Sequence, residues 1–212
     1  MRRLEIVIAT RNPKKFQELK VLLTVPGVRW RSLRNFPSVP TVPERGRTFT
    51  ANAVAKARAA ARATGYLAVA DDSGLEVEAL DGAPGIRSAR FAGRHGADEA
   101  NNRKLLRVLK GLPPAKRGGQ YRCVLALAGP RRVLGIAEGT FAGRIAVAPK
   151  GRRGFGYDPL FVVPQFGKTV AQLPAAVKHR ISHRAKAAVR LRRRLARLVE
   201  MRGASAVPTC SG

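Results

Sequence analysis

A short apolar run ends abruptly in two adjacent carboxylates in Leu67-Ala-Val-Ala-Asp71-Asp72-Ser73-Gly74-Leu75, and a second alternating run follows. Asp71, Asp72, Glu76, Glu78 and Asp81, five of the 13 acidic residues, fall within one short stretch of a chain otherwise crowded with cations. Carboxylates gathered at a strand end, with cations spread almost everywhere else, suit a metal ion that must meet a polyanion. Their oxygen donors, with Glu44 as a further candidate, suit magnesium. The plainer reading is an Asp-Ser-Gly turn joining two hairpin strands. The motif therefore needs partners elsewhere before it means catalysis.

Three other segments could hold an oligophosphate. Thr10-Arg11-Asn12-Pro13-Lys14-Lys15 reads as a strand-to-helix turn, where free backbone N–H groups and the positive end of a helix dipole favour an anion. Gly151-Arg-Arg-Gly154-Phe155-Gly156-Tyr157-Asp158-Pro159 has glycines that let backbone approach a ligand, and Phe155 offers a face for a base. Lys178-His-Arg-Ile-Ser182-His183-Arg184 places cations at a helix start, a poor position unless an anion neutralises them. Each segment alone also reads as ordinary loop or cap. Other chemistries are missing their signatures. Gly167-Lys168-Thr169 ends like a P-loop, but the required earlier glycine position holds Val162, and no Gly-x-Gly-x-x-Gly follows the first strand. The three histidines are not spaced for zinc, and there is no Gly-x-Ser-x-Gly nucleophile elbow.

The elements that must position these groups can be read from periodicity. Leu4–Ala9 is a buried first strand, followed by a helix over about residues 13–23, with proline in its first turn. Residues 28–32 form a second strand, and residues 33–47, with three prolines, a loop. Thr48 caps a helix that stops at Gly65. Two strands flank the acidic turn, Asp98 caps a helix running to about Lys110, and residues 121–128 and 132–141 alternate as antiparallel strands. Residues 160–163 form a short strand. Ser182 opens a C-terminal helix with Ala185, Ala188, Leu191, Leu195 and Leu198 on one face and Arg190, Arg193, Arg194 and Arg197 on the other. Interleaved helices and strands predict a mixed α/β fold with one continuous core.

The 212 residues carry a net charge of +28, with 41 Lys and Arg against 13 Asp and Glu. Such a surface attracts nucleic acid, nucleotides or anionic lipid nonspecifically. Arginine prevails even where lysine would serve, which reads as composition bias. Cys123 and Cys210 give no disulfide framework and point to a reducing, intracellular setting. No run approaches the ~18 apolar residues of a membrane span. The expectation is a soluble cytoplasmic protein.

Taken together, six segments resemble the inosine triphosphatase family, the dITP/XTP diphosphatases that cleanse nucleotide pools of deaminated purines. They are Ala9–Lys15; Gly46-Arg-Thr48-Phe49 with Asn52-Ala53 and Lys56-Ala57; Ala70–Leu75; Gly82–Gly85 with Ser88-Ala-Arg90; Gly154–Pro159; and Ile181–Arg184. The resemblance covers roughly residues 4–200. It implies an elongated, two-lobed α/β fold around a mixed twisted sheet, with substrate in the cleft between the lobes. It also implies a magnesium-dependent homodimer built from one catalytic domain, residues 1–202, followed by a flexible tail, residues 203–212. The reaction implied is hydrolysis of ITP, dITP or XTP to monophosphate and pyrophosphate.

Carried over by position, Thr10, Arg11, Asn12, Pro13, Lys14 and Lys15 grip phosphate, joined by Lys56. Glu44, Asp71 and Asp72 bind the metal, with Asp72 the base and Ser73 a substrate contact. Phe155, Gly156, Tyr157 and Asp158 recognise the base, and Lys178, His183 and Arg184 add contacts. Arg11 and Lys14 stand where the family commonly has glycine, and Ala51 stands where it has glutamate. That missing glutamate is either half of a capping box or a metal ligand. The rival expectation is a noncatalytic RNA- or ribosome-binding protein, or a pseudoenzyme of the same fold. The clean apolar face of the C-terminal helix argues against it, its arginines reading as a solvated side, so no specific nucleic-acid partner is expected.

Overall fold

The computed structural model describes residues 3–204. Seven strands form one mixed sheet in the order β2-β1-β3-β4-β5-β6-β7. β1 (Leu4–Ile8) lies parallel to both β2 (Val28–Ser32) and β3 (Leu67–Val77). β4 (Gly118–Ala128), β5 (Val133–Ile145), β6 (Phe161–Val163) and β7 (Lys168–Thr169) continue the sheet antiparallel. The parallel part arises because α1 (Pro13–Leu22) and α2 (Phe49–Thr64) each carry the chain back between strands. In the antiparallel part a short turn joins β4 to β5, while the longer segments 78–117 and 146–160 join β3 to β4 and β5 to β6.

The helices cover opposite faces. α1 and α5 (His183–Ala204) bury Leu19, Leu23, Leu191 and Leu195 with Val69 and Leu125 on one face. α2 buries its alanines with Ala68, Ala70 and Val124 on the other. A third cluster gathers Leu75, Leu105 of α3 (Asp98–Val108), Tyr121 and Phe161 at the far end of the long strands. On the α5 face of β3, Asp71 and Ser73 separate Val69 of the first cluster from Leu75 of the third. A polar gap between two apolar clusters is where the sheet can receive a ligand. The expected single continuous core is thus three clusters.

Two caps form as expected. The Thr48 hydroxyl accepts the Ala51 N–H at 3.0 Å, and Gly65 ends α2 in the left-handed region at φ +73°. Three expectations need correction. Asp71–Gly74 is no turn: β3 is one strand of 11 residues, in continuous register with β4 from Ala68↔Ala128 to Val77↔Gly119. The acidic pair therefore lies mid-strand, and the sheet accepts Gly74 there because it clears room for the Gly85 carbonyl and the Ser88 hydroxyl. Asp98 is the first residue of α3, not its side-chain cap, because its carboxylate accepts the Gly156 N–H at 2.7 Å. The basic segment before Ser182 is itself a short helix, α4 (Ala175–Ile181). Ser182 does open α5, its hydroxyl accepting the Ala185 N–H at 3.2 Å. Gly203 and Ala204, expected to begin the tail, are the last residues of α5, and the rest of that tail, with Cys210, lies outside the described residues. Among the described residues no helix is long and apolar enough to cross a membrane.

Candidate active site

Side chains on a strand alternate between faces, so Asp71 and Ser73 point to the α5 side of β3 and Asp72 to the α2 side. Asp71 is buried among donors. Its Oδ1 accepts Lys15 Nζ at 2.5 Å, and its Oδ2 accepts Arg184 Nε at 3.1 Å, the Cys123 thiol at 3.2 Å and the Ser73 hydroxyl. Burial disfavours the charge, but Arg184 and Lys15 outweigh it and hold this carboxyl well below the usual range. Arg184, itself buried, also donates to Glu18 Oε2 at 2.9 Å and to Ser73 Oγ at 3.3 Å. Its place is set by Gly139 of β5, where a Cβ would overlap the His183 carbonyl and the Ala187 nitrogen. The backbone of α5 can therefore lie directly on the sheet and carry Arg184 across β4 to Asp71.

Asp72 has different company. Its Oδ1 accepts Lys56 Nζ at 2.6 Å and its Oδ2 accepts Asn52 Nδ2 at 3.2 Å, both from α2. The orientation of the Asn52 amide is fixed because its Oδ1 accepts the Gly46 N–H at 2.8 Å. Here burial wins: it raises the Asp72 carboxyl above the ordinary value against the pull of Lys56, with Glu44 and Asp71 adding to the rise. Lys56 also reaches Glu44 at 3.0 Å, and Arg90 holds the other oxygen of Glu44 at 2.6 Å. Burial opposes the Glu44 charge, but Lys56 and Arg90 leave its carboxyl lowered. Two neighbouring aspartates thus have carboxyls pushed in opposite directions, Asp71 lowered and Asp72 raised.

The glycine loop is held by its own polar groups. Asp158 Oδ2 accepts the Phe155 N–H at 3.0 Å and Lys178 Nζ at 2.7 Å, and the Tyr157 hydroxyl donates to the Ser88 carbonyl at 2.9 Å. Phe155 remains half-buried, with Lys178 Nζ 4.6 Å and the Arg184 guanidinium 5.6 Å from its ring centre. His183 stacks on Tyr121 with ring centres 4.7 Å apart. Burial and Arg184 hold its imidazole well below the usual 6.5, so it is neutral at physiological pH.

Every residue assigned to the site from the sequence lines one cleft of about 850 Å³. Within it some roles differ from expectation. The first-turn N–H groups of Lys14 and Lys15 are not free for phosphate, because Asn12 Oδ1 caps both at 2.9 and 3.1 Å. Arg11 turns to the Val39 carbonyl and ties the proline-rich loop to the cleft rim. The Phe155 and Gly156 amides are bonded to Asp158 and Asp98. Glu44, Asp71 and Asp72 do not converge: Lys56 joins Glu44 to Asp72, while Asp71 belongs to Arg184 and Lys15. Among the described residues no three His, Cys, Asp or Glu side chains gather as metal ligands. The sequence reading missed Glu18, Asn52 and Arg90 as parts of the site. Helical spacing carried a signal for two of them, since Glu18 lies three residues after Lys15 and Asn52 four before Lys56, each pair sharing a face.

Comparisons with known proteins agree with this geometry. The Ham1 family model matches residues 6–194. A protein of Geobacillus kaustophilus named dITP/XTP pyrophosphatase is 50% identical over 187 residues, 88% of this chain and 92% of its own. One of the same name from Desulforamulus reducens is 50% identical over 184 residues, 87% of this chain and 92% of its own. The solved structure of a HAM1 protein from Coxiella burnetii superposes with a TM-score of 0.83 at 41% identity, covering 92% of this chain and 99% of that one.

Proposed function

Because the chain belongs to the Ham1 family, we propose that it is a dITP/XTP pyrophosphatase, hydrolysing deaminated purine nucleoside triphosphates to monophosphate and pyrophosphate. The observation that carries this reading is the division of labour along β3, which leaves Asp72 a raised carboxyl beside Lys56 inside the cleft. Water attacks the α-phosphorus, a new O–P bond forms, and the bond to the bridging oxygen breaks. Asp72 orients the water and takes its proton, a positioned carboxylate of raised pKa being suited to that task. Lys15, Lys56 and Lys178 each keep donors beyond their carboxylate contacts and stabilise charge on the departing pyrophosphate.

The donor set fits magnesium in part. Glu44 and Asp72 aim oxygens at one cation, the Lys56 ammonium, and two carboxylates plus substrate phosphates are a usual magnesium environment. Magnesium held by Glu44 and Asp72 would neutralise phosphate charge when bound. Asp71, its oxygens already engaged, is not needed as a ligand.

Base choice follows from donors. Three N–H groups of Arg184 are bonded to protein, leaving two of its five, with those of Lys178, beside Phe155. A 6-keto oxygen accepts from them, whereas an adenine amino group would leave donors facing donors. The assembly follows the resemblance: a cytoplasmic homodimer, for which a monomer at micromolar concentration in sedimentation equilibrium would be the contrary result. The deciding experiment measures pyrophosphate release from ITP, dITP, XTP, GTP and ATP with and without magnesium. Turnover confined to the keto purines without a 2-amino donor supports the reading, and equal rates on ATP would reject it.

A further inference from the structure

On α5, away from the active-site cleft, Arg190, Arg193, Arg194 and Arg197 line a separate groove with Leu134, Gly135 and Ile136 of β5. It holds about 410 Å³ and shares no lining residue with the cleft. The spacing puts all four guanidinium groups on one helix face over about 10 Å. Leu191 and Leu195 are buried beneath, so the row is fixed to the sheet. The missing side chain at Gly135 lets the stem of Arg194 lie against the strand, with Cγ 3.4 Å from where a Cβ would stand. Leu134 supplies the apolar lining, while Ile136, paired with Ala126, faces the other side of the sheet.

Among the described residues the carboxylates nearest this row in sequence and space are Glu138 and, three residues after Arg197, Glu200. Arg190 donates to the Glu138 backbone carbonyl at 2.6 Å, but the Glu138 carboxylate pairs with Arg122 at 2.8 Å. Among the described residues, Arg193, Arg194 and Arg197 meet no carboxylate within ion-pair distance. Arg131 and Arg132 stand exposed in the turn leading into Leu134, extending the positive row beyond the groove.

We propose that this groove binds the phosphate backbone of single-stranded nucleic acid without reading its sequence. Successive phosphates match a row of guanidinium groups carried on one helix face, whose planes also stack on unpaired bases. The apolar edge at Leu134 offers contact to base and sugar faces that a duplex hides. The extension through Arg131 and Arg132 favours a strand over one free nucleotide.

The test titrates the full chain into a labelled oligouridylate across a salt series, reading anisotropy. Each phosphate contacted by a single strand contributes about −0.7 to the log–log salt slope. The R193Q/R194Q/R197Q variant is expected to bind at least tenfold more weakly and to flatten the slope by about 2, with ITP hydrolysis and melting temperature unchanged. R62Q/R107Q/K110Q, with the same charge removed from other exposed positions, is expected to bind nearly as the parent does. Equal weakening in both variants would reduce the effect to net charge and overturn the proposal. So would displacement by polyglutamate as effective as by unlabelled oligouridylate, or displacement by ITP at concentrations that fill the cleft. Loss of ITP hydrolysis in the parent itself bears only on the proposed enzymatic function.

Discussion

A one-residue step along β3 moves a carboxylate from the α5 face of the sheet to the α2 face, so Asp71 meets Arg184 and Lys15 while Asp72 meets Lys56 and Asn52. The two substitutions should therefore fail differently. Asp72→Asn is expected to fold normally and lower kcat by on the order of 10²-fold or more, the loss typical of a positioned base. Single-turnover rates on ITP check this, and near-normal turnover would remove Asp72 from the chemistry. Asp71→Asn leaves the buried Arg184 with Glu18 as its remaining carboxylate, and breaking a buried pair costs ~3–5 kcal/mol. A denaturant midpoint unchanged from the parent would contradict that. Phe155 belongs to the same scale. Phe155→Ala should lower kcat/KM for ITP and ATP by one common factor, equivalent to ~1–3 kcal/mol, because stacking tolerates any base. A loss confined to ITP would assign base choice to the ring.

At the scale of elements, the site depends on how closely α5 approaches the sheet. Gly139 allows the contact, and the first turn of α5 carries both His183 and Arg184. Gly139→Ala forces helix and strand apart and is expected to destabilise by ~1–3 kcal/mol, the usual cost of overpacking. It should also lower kcat/KM for ITP, since Arg184 can no longer reach Asp71 and Glu18 together. Thermal melts read the first effect and initial rates the second; loss of stability with full activity would show that the approach serves packing alone. The turn before α1 works by a different device. Asn12 directs its carbonyl oxygen to the N–H groups of Lys14 and Lys15, so the phosphate grip proposed for this turn would rely on side chains more than on bare helix-end amides.

Across the whole molecule, buried ionisable groups set the response to acid. His183 titrates well below 6.5 in the folded state, so below the unfolded value the unfolded chain binds a proton that the folded chain refuses. Its contribution to stability is present above about pH 6.5 and is lost as the pH falls from there. Asp71 is also lowered when folded. Its contribution is present above the unfolded carboxyl value and is lost as the pH falls below about 4. Stability should therefore decline in two stages on acidification, and His183→Gln should abolish the first. A pH series of melting temperatures checks it; an unchanged slope between pH 6.5 and 5 in that variant would exclude His183.

Local pattern determined much of this protein. Apolar runs and caps marked β1, α1, β2, α2 and the start of α5, because strand alternation, Thr48, Gly65 and Pro13 act through neighbours only a few residues away. The identities of the cleft residues were legible too, since Asp71, Asp72, Lys56, Phe155 and Arg184 stand in motifs that resemble one family. Only the tertiary structure decided what each of them touches. Asp-Asp-Ser-Gly reads as a turn until β4 pairs along its whole length, and pairing partners are not encoded within the segment. Arg184 reads as a free substrate donor until Glu18, 166 positions away, and Asp71 take three of its bonds together with Ser73. The arginines of α5 read as a solvated face until β5 supplies the other wall of their groove. Burial and charge pairing are properties of distant segments brought together, so the chemistry of a carboxylate or guanidinium is fixed only when the sheet closes around it.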